Sequence, residues 1–356
     1  MREINRRTFL LSTGRWLMVA GLAPTLSGCA RALRWSESQG RIEGDEAADS
    51  GATGTTELGT TTSTTGSVST GSVSTSTTSL GATTTTGAPA PDLAVVRGDL
   101  PDKNVRAAVA QLGGMERFVK RDAKVVVKPN VLTGRPPEYA TTTNPLVIAT
   151  IVRMCLEAGA AQVTVLDYPT SSPRAAFRES GLAQAVQESG GKLKYLSSRN
   201  FERVEIPEGK AVTSWPLVTD ALEADTFINV PIGKTHGMAG LTLAMKNLMG
   251  MMGDPRGQIH IDFAQKITDV NTRVKPHLVI LDAYRILVRN GPTGGNLDDV
   301  QMPKTVVVGT SQVAVDAYGT TIMGWKPTDL PSLVEAADRG LGEIDLGKLT
   351  IFEGTA

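Results

Sequence analysis

The chain has 356 residues, with 36 Lys or Arg against 36 Asp or Glu, three His and two Cys. This charge balance argues against a nucleic-acid-binding protein, which normally carries a basic stripe. Two cysteines exclude a four-cysteine iron–sulfur cluster, a zinc ribbon and a disulfide framework, so any metal would need His, Asp, Glu or Asn ligands.

Residues 1–29 have the features of an export signal. Arg6-Arg7 precedes an apolar run over residues 16–26, which is too short to span a bilayer as a helix. This order predicts a twin-arginine signal peptide. The following Leu-Ser-Gly-Cys resembles the bacterial lipobox, so we predict that Cys29 is lipidated. We therefore expect an exported lipoprotein that its acyl chains hold at a cell-envelope membrane, on the periplasmic or extracellular face.

Residues 30–90 are predicted to form a disordered tether. Between residues 50 and 86, 24 of 37 residues are Ser or Thr, and Glu57 carries the single charge. Such a segment cannot bury enough apolar surface to offset the loss of chain entropy on folding. The folded domain is therefore predicted to comprise residues 91–356.

In that domain, short β-rich runs alternate with helical patterns. Strands are predicted at 124–128, 162–167, 192–196, 226–230, 277–282, 304–309 and 348–352. Helices are predicted at 145–159, 174–189, 238–252, 262–274, 313–323 and 330–339. This alternation predicts an α/β fold with an open, mostly parallel sheet and helices on both faces. The sequence leaves open whether the sheet is split into two lobes.

The predicted strands end in polar residues. Lys128 and Asn130 lie at the end of the first strand, and Asp167 and Asp282 end two others. Ligands of open α/β sheets bind at the carboxyl ends of the strands, so these side chains are predicted to converge in one crevice. The alternative interpretation is that polar residues simply mark strand ends.

The segment from 229 to 260 is the densest in candidate site residues. Glycines bracket Lys234-Thr235-His236, which predicts a tight loop that forms an anion site at the start of the helix over 238–252. Lys246 and Asn247 fall on that helix. His236 and His260 are candidate ligands for a divalent metal, although each histidine could equally be a capped or core residue.

Nine segments of the domain together resemble one known family. In chain order they are 128–130, 142–145, 165–167, 228–236, 241–250, 260, 278–282, 291–295 and 313–316. The last of these segments ends at Asp316. They resemble the family called domain of unknown function 362, which implies a fold and a set of positions but no reaction. Many members carry an added ferredoxin-like segment with Cys-x-x-Cys, which suggests redox chemistry and a redox partner protein. With only Cys29 and Cys155, this chain is expected to hold no iron–sulfur cluster.

Two functions remain open at this point, and the sequence does not decide whether the protein is an enzyme. In the first, the domain binds or acts on an anionic small molecule, a carboxylate or a phosphate, with or without a metal. The acid–base candidates are His236, Asp167 and Asp282. The ligand-binding candidates are Lys128, Asn130, Lys234, Thr235, Lys246 and Asn247. The alternative is a non-catalytic cell-envelope module that binds a ligand or a partner protein.

Overall fold

The computed structural model describes residues 90–356. The predicted signal, Cys29 and the tether up to residue 89 lie outside the described residues. The strands are β1 (Leu93–Arg97), β2 (Lys124–Pro129), β3 (Gln162–Asp167), β4 (Lys192–Tyr195), β5 (Glu202–Glu205), β6 (Ser214–Leu217), β7 (Thr226–Val230), β8 (Ile232–His236), β9 (Gly240–Thr242), β10 (Leu278–Leu287), β11 (Val300–Gln301), β12 (Thr305–Gly309) and β13 (Ile351–Thr355). The helices are α1 (Pro101–Gln111), α2 (Pro145–Glu157), α3 (Pro173–Glu179), α4 (Leu182–Glu188), α5 (Asp220–Glu223), α6 (Ala244–Asn247), α7 (Phe263–Arg273), α8 (Gln312–Ile322) and α9 (Pro331–Asp338).

One large sheet organises the domain. Its main strand order is β13-β1-β12-β10-β7-β2-β3-β4. Along this order β12 pairs antiparallel with β1 and β10, and the other neighbours pair in parallel. Strands β8 and β11 pair with β10, β9 pairs with β8, and β5 and β6 form a separate ribbon. The predicted open, mostly parallel α/β sheet is confirmed, and its main strands form one sheet rather than two lobes.

Helices cover both faces of this sheet. Because successive strand residues point to opposite sides, each strand contributes side chains to two cores. On one face Ala94 and Val96 of β1 share a core with apolar residues of α1, α2 and α4. On the other face Leu93 and Val95 pack with residues of α8 and α9. Cys155 of α2 is fully buried in the first core. Among residues 90–356, no helix has the length and apolar character needed to cross a membrane.

The ends of α2 follow from local sequence. The Asn144 side chain accepts a hydrogen bond from the Leu146 N–H at 3.0 Å, and Pro145 takes the first helical position. Beyond the last turn, Gly159 adopts a φ of 97°, a conformation that glycine reaches without steric cost. Both ends therefore agree with the prediction.

Other predictions were wrong. The helix expected over 174–189 is divided into α3 and α4 at Gly181, which has a φ of 77°. The segment 232–236 is not a loop but strand β8, which forms a hairpin with β9. The helix expected over 238–252 is reduced to α6 and a following 3-10 turn. Strand β1 and helix α1 were not predicted.

Candidate functional site

A cavity of about 740 Å³ lies where β2, β3 and β4 end, with β8 along one side. Its volume falls within the range of small-molecule sites in proteins. Seven predicted site residues line it, namely Asn130, Asp167, Lys234, His236, Lys246, Asn247 and His260. The strand-end prediction thus led to side chains that the fold brings together from four separate parts of the sequence.

A buried ion pair lies beneath this cavity. Lys128 Nζ lies 2.8 Å from Asp167 Oδ1, and both side chains are almost fully buried. Asp167 Oδ2 also accepts the Val131 N–H at 2.6 Å. A Cβ on Gly250 would lie 1.8 Å from Asp167 Oδ1, so only glycine can pass this pair so closely. Lys128 was predicted to contact a ligand, but its charge is already balanced beneath the cavity.

A chain of side-chain amides runs from the cavity into the core. Asn130 Nδ2 donates to Asn247 Oδ1 at 2.9 Å, and Asn247 Nδ2 donates to Asn229 Oδ1 at 2.7 Å. Asn229 Nδ2 then donates to Gln312 Oε1 at 2.8 Å. Each amide orientation is set by its neighbour. Gln312 gave no sequence signal, because it belongs to the distant helix α8.

Lys234 is a buried cation at the cavity wall. Its side chain extends from β8, and Nζ donates to Asn130 Oδ1 at 2.7 Å and to the Thr141 carbonyl at 2.6 Å. Only 1% of the residue is exposed. No carboxylate of residues 90–356 forms a salt bridge with it. Burial, followed by the charge of Lys246, lowers the pKa of Lys234 to about 7, because both disfavour the ammonium form.

Lys246 is a second cation without a carboxylate partner in the described part of the chain. Its Nζ lies 3.4 Å from Met249 Sδ and 3.5 Å from His260 Nε2. The ring centroid of Phe263 is 5.6 Å away. Burial, followed by the charge of Arg256, lowers the pKa of Lys246 to about 7. Its amine faces weak acceptors only, so a larger share of it is uncharged at neutral pH than for an ordinary lysine.

The two cavity histidines lie with parallel rings. Their centroids are 5.1 Å apart and the ring planes differ by 9°. His236 Nδ1 accepts the backbone N–H groups of Met238 and Ala239 at 3.2 and 3.3 Å. Its neutral ring must therefore carry the proton on Nε2. Burial, followed by the charge of Lys246, lowers the pKa of His236 to about 3, which makes this ring a neutral donor rather than a base near pH 7.

This arrangement does not support the metal hypothesis for His236 and His260. Stacked rings do not aim their nitrogens at a shared point, and His236 Nδ1 is already occupied by two N–H groups. Across residues 90–356, no three His, Cys, Asp or Glu side chains gather as a metal-binding group. The histidines instead supply hydrogen-bonding groups to the cavity.

Two predicted residues lie away from the cavity. Side chains alternate along a strand, so Thr235 points opposite to its neighbours Lys234 and His236, and its Oγ1 accepts the Gly291 N–H at 3.1 Å. Asp282 accepts the N–H groups of Asn144 at 2.7 Å and Tyr284 at 3.1 Å. Burial raises the pKa of Asp282 to about 6 against these hydrogen bonds. Asp282 therefore holds the start of α2, and the structure does not place it as an acid–base group.

Arg256 lines the cavity but was missed in the sequence. Its Nη1 and Nη2 donate to the carbonyls of Tyr168 at 2.5 Å and Pro169 at 3.0 Å. The guanidinium also lies 4.4 Å from the Tyr168 ring centroid. The only signal was its position just after Asp254-Pro255, which marks a turn. With Asp167 committed to Lys128, the charged groups left at the cavity are Lys234, Lys246 and Arg256 on one side of the balance and Asp254 on the other.

The comparisons with known proteins agree with the resemblance seen in the sequence. A family model described as "Domain of unknown function (DUF362)" matches residues 125–321. A thylakoid-associated protein of Synechocystis sp. is 29% identical over 253 residues, which are 67% of this chain and 74% of that protein.

Two solved structures are similar at a much lower level. A protein from Thermotoga maritima has a TM-score of 0.32 and 14% identity, over 52% of this chain and 51% of that one. The lactate racemase apoprotein from Thermoanaerobacterium thermosaccharolyticum has a TM-score of 0.36 and 12% identity, over 64% and 56%. This chain thus spans little more than half of either, and so weak a likeness transfers no function.

Proposed function

The chain belongs to the family described as domain of unknown function (DUF362), and from its cavity we propose that it binds a small anionic molecule, a carboxylate or a phosphate. The observation that carries this proposal is the charge of the cavity wall. Lys234 and Lys246 both face the cavity, and neither forms a salt bridge within residues 90–356. A buried cation without a counter-charge is costly to the fold, so a bound anion would stabilise both ammonium groups.

The neighbouring Lys128 differs from these two lysines, because its ammonium group has both a counter-charge and oxygen acceptors within the fold. Its ammonium group has Asp167 at 2.8 Å and two further oxygen acceptors, from Pro129 at 3.0 Å and Asn247 at 3.2 Å. Lys246 has no oxygen acceptor in the described residues. The fold thus balances one lysine completely and leaves another open to the cavity, where an anionic group can take the missing place.

Neutral donors would orient such a ligand. His236 presents Nε2–H to the cavity because its Nδ1 accepts two backbone N–H groups. Asn130 is held between Lys234 and Asn247 by hydrogen bonds at 2.7 and 2.9 Å. Fixed donors of this kind select a ligand by its shape as well as its charge.

Isothermal titration calorimetry of the purified protein with sulfate, inorganic phosphate and simple carboxylates tests the proposal. We expect at least one anion to bind, and Lys234→Met to weaken it by about tenfold or more, as for a charge-assisted hydrogen bond. Lys194→Met is the matched control, because Lys194 pairs with Asp220 at 2.6 Å outside the cavity. Absence of binding by every anion, or equal losses in both variants, would refute the site.

We also propose that the domain works from a membrane surface, attached through a lipid on Cys29. This rests on the pattern of residues 1–29 alone. Labelling with a radioactive fatty acid in an exporting bacterial host should mark the protein and place it in the membrane fraction. Cys29→Ala should abolish both results, whereas Cys155→Ala, at the other cysteine, should leave them unchanged. Label retained in Cys29→Ala would exclude this anchor.

A further inference from the structure

We propose that Lys246 forms an imine with the carbonyl carbon of a 2-oxo carboxylate bound in the cavity. This inference rests on the anion site proposed above and adds a covalent step to it. The carboxylate of the ligand would pair with Lys234, and its carbonyl group would face Lys246 and the two histidines. The ligand class follows from these two needs, an anionic group beside a reactive carbonyl.

Lys246 is the best placed of the three lysines in this region to act as a nucleophile. Lys128 is held as an ammonium by Asp167 at 2.8 Å. Lys234 Nζ donates to two oxygen atoms, of Asn130 and Thr141, within 2.7 Å. Lys246 Nζ meets only the Met249 sulfur and the His260 ring nitrogen. Its lone pair is therefore the one that these contacts leave available for attack on a carbonyl.

His260 is oriented to move the proton that this attack releases. Its Nδ1 lies 3.2 Å from the Gly257 carbonyl, which can only accept, so Nδ1 carries the ring proton. Nε2 is then an acceptor, 3.5 Å from Lys246 Nζ. Ring orientation by a backbone carbonyl is a common way of presenting the other nitrogen for proton transfer.

The step balances without an oxidant or a reductant. The Lys246 nitrogen bonds to the carbonyl carbon, and His260 Nε2 takes a proton from that nitrogen. His260 returns this proton to the carbonyl oxygen, which becomes a hydroxyl group, and then carries the second proton of the nitrogen to the same oxygen, which leaves as water. The product is an imine between Nζ and the former carbonyl carbon. His236, which presents Nε2–H, is placed to donate to the oxygen while it carries charge.

The electrostatics of the pocket support this assignment. Burial and the nearby guanidinium of Arg256 hold the pKa of Lys246 at about 7, whereas an exposed lysine has a pKa near 10.4. Roughly half of the amine would then be unprotonated at pH 7, against a very small fraction at an exposed site. Desolvated lysines of this kind are the ones that form Schiff bases in proteins.

Reductive trapping tests the inference on the purified full chain. Pyruvate is added with sodium cyanoborohydride, which reduces an imine to a stable amine, and mass spectrometry of peptides identifies the modified lysine. We expect one adduct per chain, on Lys246. Propionate, which has the carboxylate and no carbonyl, should bind without forming an adduct. Lys246→Arg keeps the positive charge and should lose the adduct, whereas Lys194→Arg, at a lysine outside the cavity, should keep it.

The outcomes separate this step from the anion site. Binding of pyruvate and propionate without any adduct on Lys246 overturns the imine and leaves the anion site standing. An adduct on Lys234 or on surface lysines alone also overturns it. Failure of both acids to bind the wild-type protein overturns this inference together with its carboxylate premise, and phosphate or sulfate binding then decides whether an anion site exists. If Lys246→Arg does not fold, the position of the adduct on the wild-type chain, identified by mass spectrometry, decides between Lys246 and the other lysines.

Discussion

Two buried charged regions of this domain show opposite solutions to the same problem. At Asp269 in α7, the carboxylate accepts the N–H groups of Lys210, Ala211 and Val212 at 2.7 to 2.9 Å. Arg339 Nη1 completes the group at 2.6 Å. Burial alone would raise the pKa of Asp269, but these donors hold it below its usual range. The Asp269 carboxylate therefore has its counter-charge and its hydrogen-bond donors within the fold.

At the cavity, by contrast, the fold provides no counter-charge for two lysines. Lys234 and Lys246 form no salt bridge with any described residue, and burial lowers the pKa of both to about 7. Burial of charge alone therefore does not identify a site, because Asp269 and Lys234 are both almost completely buried. What distinguishes the cavity is that two of its lysines lie beside an opening and have no carboxylate partner among the described residues.

The largest expected effect is the loss of stability when the Asp269 group is broken. Asp269→Asn removes the carboxylate 2.6 Å from the nearly buried Arg339 and leaves it only Glu335 at 4.0 Å, which should cost about 3–5 kcal/mol of unfolding free energy. Urea denaturation measures this. Anion affinity in the cavity should stay within about twofold, since the change does not alter the lysines.

Arg106 supplies the control for that experiment. It forms two hydrogen bonds of 2.8 Å to Glu157 on the surface, and Arg106→Gln should cost less than about 1 kcal/mol. If Asp269→Asn were as mild as this control, the view of Asp269 as a structural charge centre would be wrong. If it abolished anion binding in a folded protein, the two regions would not be independent.

A smaller effect is expected from pH at the cavity. Because the pKa of Lys234 and of Lys246 is about 7, both ammonium groups are present below pH 7, and above it binding must take up protons. Sulfate affinity should therefore fall by up to about tenfold per pH unit for each proton taken up. Calorimetry from about pH 6 to 9 measures the slope.

The free domain should respond to pH with the opposite sign. Between about 7 and the ordinary value of 10.5, the unfolded chain binds protons that the native lysines do not, so stability rises with pH. Lys246→Met should reduce both slopes. A sulfate affinity that does not change between pH 6 and 9 would mean that neither lysine titrates in the cavity.

Much of the fold was visible in the sequence, because its signals are local. Apolar runs at 124–128 and 162–167 became β2 and β3, and the Asn144-Pro145 start of α2 needed only neighbouring residues. The helix predicted over 238–252 failed for a reason that is not local. Asp316 of α8 accepts the N–H groups of Ala244 and Met245 at 2.5 and 2.8 Å. A carboxylate about 70 residues away therefore determines where α6 begins.

The same distinction holds for the site. By itself the sequence determined that Asn130, Lys234 and Lys246 follow strands or lie near them, since strand ends are marked by changes in residue type. Only the tertiary structure decided that Lys128 is paired and Lys246 is not. An ion pair depends on a distance of a few ångströms across the sheet, and the parallel register of β2 with β3 brings Lys128 to Asp167. Lys246 lies on α6, and no carboxylate of the described residues forms a salt bridge with it. Its amine faces the cavity instead.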